Sequence, residues 1–113
     1  MKDEIIIYQA EEESIRLEVR LEEETVWLTQ AQMAELFQTS PQNITIHIRN
    51  IFKEGELSEK GTCKEYLQVQ TEGGRNVKRK LKLYNLDIII SVGYRVKSIR
   101  GTQFRIWANK VLK

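Results

Sequence analysis

The sequence predicts a single domain of the α+β class, and three observations carry that expectation. Ile15, Leu17, Val19 and Leu21 alternate with Arg16, Glu18, Arg20 and Glu22, the period-two signature of a half-buried strand. An amphipathic helical pattern runs through "LTQAQMAELF", breaks at "QTSP" and restarts at once in "QNITIHIRNIFKEGEL". A second alternating stretch, "CKEYLQVQTEGGRNVKRKLKLYN", folds on Gly73-Gly74.

The 113 residues suit one hydrophobic core. No apolar run approaches the roughly 18 residues of a membrane span, and the acidic start does not read as a secretory signal. Cys63 and His47 are the only residues of their kinds, which leaves no disulfide framework and too few ligands for a Cys/His zinc site. The expected compartment is therefore the reducing cytoplasm. No catalytic residue, metal, cofactor or small-molecule ligand is expected, and the chain is not expected to be an enzyme.

Charge is unevenly distributed. Residues 1–40 carry 3 basic and 10 acidic side chains, whereas residues 74–113 carry 11 basic and 1 acidic. A basic C-terminal third is the footprint of a phosphate-facing surface, although a solvated basic face balancing an acidic one has the same composition.

In chain order, residues 1–28 are expected to form a β-hairpin, with Glu22-Glu23-Glu24 as its turn and Val26 to Leu28 as a short return strand. Residues 29–56 read as a helix-turn-helix. Thr29 caps the first helix, whose apolar face is Met33, Ala34, Leu36 and Phe37. Ser40 caps the second and Pro41 occupies its first position, where the missing N–H costs nothing. Ile44, Ile48, Ile51 and Phe52 form one stripe, and Gly55 is a fitting C-terminal cap. The corner commonly carries Gly where this chain has Gln38, so Gln38 must either adopt a left-handed backbone or reshape the turn. Residues 64–84 form the basic hairpin, a wing after the two helices, with Arg79 sharing the parity of its apolar positions. Its lysines also suit an edge strand protected from aggregation. Residues 85–113 hold two helices, one capped by Asn85 and ending near Gly93, the other starting at Ser98. The last pattern, Phe104, Trp107, Ala108, Val111 and Leu112, stops unfinished, as expected of the N-terminal part of a longer protein. Trp27 and Trp107 are expected in the core, and Cys63 in a loop or half-buried.

Helix, turn, helix and basic wing together point to double-stranded DNA. On the second helix Gln42, Asn43, Thr45, Ile46 and Arg49 would meet the major groove: amide side chains suit adenine, Arg suits guanine and Ile46 suits a thymine methyl. Arg75, Lys78, Arg79 and Lys80 would hold phosphates. A homodimer would widen the reading frame of a single recognition helix, but no heptad seam marks one. The alternative is an interaction or oligomerisation module that presents its hairpin or last helix to a protein partner.

The stretches "WLTQAQMAELF", "QNITIHIRNIFKEGEL", "YLQVQTEGGRNVKRKLKLYNLDIIISVGYRV" and "RGTQFRIWANKVLK" resemble the N-terminal domain of the RhuM virulence-protein family. That resemblance implies a bacterial or mobile-element-associated DNA-binding module, such as a transcription regulator, within a longer chain. No His-Pro-Phe motif with a Gly-rich anion loop is present, so no Fic-type activity is carried over.

Overall fold

The computed structural model describes residues 4–10 and 15–113. The expected N-terminal hairpin also took in residues 1–3 and 11–14, which lie outside the described residues. Five strands and four helices follow one another as β1 (Glu4–Gln9), β2 (Arg16–Glu22), β3 (Thr25–Leu28), α1 (Gln30–Phe37), α2 (Pro41–Lys53), β4 (Cys63–Glu72), β5 (Arg75–Asn85), α3 (Leu86–Arg95) and α4 (Ile99–Val111). All strands join one antiparallel sheet in the order β1-β2-β3-β5-β4.

The N-terminal region is thus a three-stranded meander rather than a simple hairpin. Its β2–β3 turn closes Glu22 against Thr25, with Glu23 and Glu24 both left-handed (φ 55° and 62°). The β4–β5 hairpin is likewise continuous with the meander, because Trp27 and Leu28 pair with Asn85 and Tyr84.

One sheet face makes the core. Tyr8, Leu17, Val19, Leu21, Val26, Leu28 and Tyr84 are buried on it and pack with Met33, Leu36, Phe37, Ile44, Ile48, Ile51, Ile88, Val92 and Phe104 of the helices. Tyr8, Phe104 and Trp107 add edge-on and tilted ring contacts at 5.0–5.4 Å between centroids. Trp27 is buried as expected, but on the opposite face. Lys64 Nζ lies 4.3 Å from its ring centroid, and its indole N–H donates to Glu22 O at 2.8 Å.

α3 runs past Gly93 to Arg95. Gly93 stays inside the helix because α4 crosses there: a Cβ on Gly93 would lie 3.1 Å from the Phe37 ring and 3.2 Å from Gly101 Cα. The glycine serves close helix approach, not termination. Asn85 and Ser98 cap α3 and α4 through Ile88 N and Arg100 N.

Candidate nucleic-acid interface

The corner between α1 and α2 is built by local hydrogen bonds. Thr29 Oγ1 accepts from Gln32 N at 3.1 Å, and Gln32 Oε1 accepts from Thr29 N at 2.9 Å, a reciprocal capping box. Gln32 Nε2 also donates to Glu18 O at 2.7 Å, anchoring the helix start to β2. At the other end Gln38 takes the left-handed conformation (φ 55°, ψ 49°), and Thr39 N donates to Ala34 O at 3.0 Å. Gln38 thereby fills the glycine role at the steric cost a side chain carries there. Ser40 Oγ then accepts from Asn43 N at 3.1 Å and starts α2 behind Pro41.

α2 buries Ile44, Ile48 and Ile51, with Phe52 partly buried beside them. Its C-terminal end is clamped to α3. Arg95 donates to Glu54 Oε1 at 2.9 Å and to Glu56 Oε1 at 2.8 Å, while Ser91 Oγ donates to the other Glu56 oxygen. The Arg95 hydrogen bond holds the Glu54 carboxyl below its usual range, and the Ser91 hydroxyl, then Arg95, do the same for Glu56. The helix is fixed at both ends, so its outward side chains are carried on a rigid support.

Those side chains divide into two groups. Gln42, Ile46 and Arg49 are exposed at i, i+4 and i+7, with Ile46 at 49%, and continue to the exposed Lys53. Asn43 and Thr45 are half-buried and engaged. Asn43 Nδ2 donates to Thr39 Oγ1 at 2.8 Å. Thr45 Oγ1 accepts from Gln30 Nε2 at 2.9 Å and donates to Pro41 O at 3.0 Å. Gln30 carries no motif of its own in the sequence; its place one residue after a cap is its one signal.

The hairpin distributes its cations over both faces. Gly73 and Gly74 are both left-handed and close Glu72 on Arg75. The register pairs Val69 with Lys78, Leu67 with Lys80 and Glu65 with Lys82, so these six residues share the helix-side face. Arg75, Val77, Arg79 and Leu81 lie on the other. Lys78 and Lys80 are exposed and have no ion-pair partner among the described residues, whereas both Arg79 Nη2 contacts go to Glu72, at 2.7 and 2.8 Å. Arg79 does not snorkel free; Glu72 holds it across the small Val77. Counting back from Gly73-Gly74 places the two on one face, a signal the sequence contained. The lysines lie on β5, an inner strand, so the expected lysine-lined edge is not formed. The edge is β4, with Leu67 and Val69 exposed by 59% and 60%.

Other chemistry is sparse. His47 is half-buried at the margin of α2, and burial pushes the half-buried Cys63 thiol up, away from thiolate. Tyr84, in the core, is pushed up to about 12 by the same cause. Among the described residues no cluster of His, Cys, Asp or Glu could hold a metal ion, and no helix is long and apolar enough to cross a membrane.

The molecule is therefore an α+β domain in which a capped two-helix corner and a cationic hairpin extend from one antiparallel sheet. Residues 61–113 match the family model described as the Virulence protein RhuM family, so the resemblance read from the sequence holds for that segment. The match takes in β4, β5, α3 and α4 and leaves α1 and α2 outside it. No curated protein and no solved structure matches the chain.

Proposed function

We propose that this domain binds double-stranded DNA as a winged helix-turn-helix, with α2 in the major groove and the β4–β5 hairpin against the phosphate backbone. The observation that carries the reading is the stripe Gln42, Ile46, Arg49: three side chains of base-reading type, exposed in line on a helix fixed at both ends. Gln42 suits the N6/N7 edge of adenine, Arg49 the O6/N7 edge of guanine and Ile46 a thymine methyl. Asn43 Nδ2 and the Thr45 hydroxyl are engaged within the corner, so both residues help to set the angle of α2. Lys78 and Lys80, with Arg75 at the tip, supply phosphate contacts, and Arg79 joins them when Glu72 gives it up. The module serves a bacterial or mobile-element-associated regulator.

The test is an amide-shift titration of the isotopically labelled chain with a short duplex. Perturbations concentrated on α2 and the β4–β5 tip support the reading. Perturbations confined elsewhere, or none at low salt, contradict it.

A second reading, a protein-interaction module, is favoured by one feature. A groove of about 530 Å³ lies along the α3–α4 crossing, with Tyr94 and Ile99 exposed by 86% and 73% and Lys97 and Arg105 among its lining residues. Retention of an acidic protein partner after nuclease treatment distinguishes this reading from DNA binding.

A further inference from the structure

We propose that β4 pairs antiparallel with β4 of a second copy of this chain, about a two-fold axis through Gln68. β4 is the ten-residue edge of the sheet, and among the described residues no strand pairs with its outer side. A two-residue turn with both residues left-handed closes on a hydrogen-bonded pair, here Glu72 and Arg75. Alternate residues back along β4 then direct their N–H and C=O toward β5. The remaining ones, Glu65, Leu67, Val69 and Thr71, direct theirs outward, where no described residue pairs with them.

Long edges are usually blunted by cations, prolines or bulges. β4 has no proline and pairs in unbroken register from Cys63 to Glu72. Its one cation, Lys64, is turned to the outer sheet face by Glu22 and Glu23, at 2.5 and 3.2 Å.

The edge is also complementary to itself. With Gln68 on the axis, Leu67 of each copy faces Val69 of the other in a hydrogen-bonded pair on the helix-side face. Lys64 of each faces Glu72 of the other on the opposite face. Glu65 meets Thr71, so no like charges are opposed within the ladder. Antiparallel pairing sets the basic tip of each hairpin, with Arg75, Lys78, Arg79 and Lys80, beside the base of the other, where Glu59 and Glu65 are exposed. The two tips point apart. Side chains opposite one another across the new seam share a face, so Lys78, Lys80 and Lys82 of both copies stay on one side of a continuous sheet.

The test uses sedimentation velocity on the whole chain without DNA, so that it stands apart from the DNA reading. A concentration-dependent dimer is expected, and Leu67→Lys with Val69→Lys should convert it to monomer. Because that variant could lose the fold, a second measurement uses Cys63→Ser with Gln68→Cys. Position 68 faces its own mate in a non-hydrogen-bonded pair with Cα atoms about 4.5 Å apart, within disulfide reach. Rapid oxidation to a covalent dimer is expected there and not for Gln70→Cys, whose mate lies beyond the roughly 7 Å a disulfide tolerates. A monomer at all concentrations overturns the proposal. So does a dimer indifferent to the lysines, or one that Gln68→Cys does not cross-link, as in pairing of β1 with β4 or contact through the helices.

Discussion

Gln30, the first residue of α1, donates from Nε2 to Thr45 Oγ1 on α2 at 2.9 Å, and Thr45 Oγ1 donates onward to Pro41 O at 3.0 Å. The chain of bonds ties the two helices together on a partly exposed side, while Met33, Phe37, Ile44 and Ile48 share the buried core. Thr45→Val removes both bonds while keeping the shape. A net loss of about 1 kcal/mol is expected, as for a partly exposed hydrogen bond. Adding Gln30→Ala should cost little more, because the two residues share one interaction. Denaturant midpoints of the single and double variants check this; full additivity would show that the tie does not hold the corner.

Arg49 and Lys78 should behave differently toward DNA. Arg49→Ala is expected to cost about 1–3 kcal/mol at a preferred site and to relax sequence preference. Lys78→Ala should weaken every sequence alike and lower the slope of log affinity against log salt by about 1. Titrations of each variant at several salt concentrations separate the two roles. Equal effects on preferred and random duplexes for Arg49→Ala would remove it from the reading face.

Glu72 restrains Arg79 through a bidentate pair. Releasing the guanidinium with Glu72→Gln should raise affinity for random duplex and steepen its salt dependence, whereas Arg79→Ala should change both less than Lys78→Ala does. Lower affinity for Glu72→Gln would mean that the ion pair orders the hairpin tip for binding.

The α3–α4 crossing leaves little room for a side chain at Gly93. A Cβ there would sit 3.1 Å from the Phe37 ring and 3.2 Å from the backbone of Gly101. Gly93→Ala should therefore destabilise by about 1–3 kcal/mol, the range for overpacking, despite alanine's better helix propensity. Thermal unfolding of the variant tests this, and an unchanged or higher midpoint would show that the helices part freely.

Acidification should weaken the clamp between α2 and α3. Glu54 and Glu56 are both held below their usual range, so their contribution is complete above the ordinary carboxyl value near 4.3 and is lost as pH falls through the folded-state values. Stability should fall on descending below about pH 4.5, and Glu56→Gln should flatten that fall. Parallel pH profiles for the two proteins would assign the acid sensitivity elsewhere.

The features legible in the sequence are those with a local cause. Thr29, Ser40, Asn85 and Ser98 each cap a helix because a short hydroxyl or amide precedes an apolar stripe. Gly73-Gly74 fixed the hairpin register for the same reason. The features that escaped have distant causes. β5 joins β3 through only two residue pairs, Trp27 with Asn85 and Leu28 with Tyr84, far apart in the chain. Gly93 looked like a helix end, and only the approach of Gly101 shows why it lies inside one. In the candidate site, the outward stripe of α2 followed from helical spacing. The engagement of Thr45 by Gln30 and of Arg79 by Glu72 needed side-chain geometry.

The measurement that tests the central claim most directly is an anisotropy titration of the chain on a randomised duplex pool at two salt concentrations, with sequencing of the bound fraction. Salt-sensitive binding with an enriched motif is the expected result, and the enrichment should fade in Arg49→Ala. No binding at low salt would contradict it and leave the turn at Gln38 to Pro41 as a corner between two core helices.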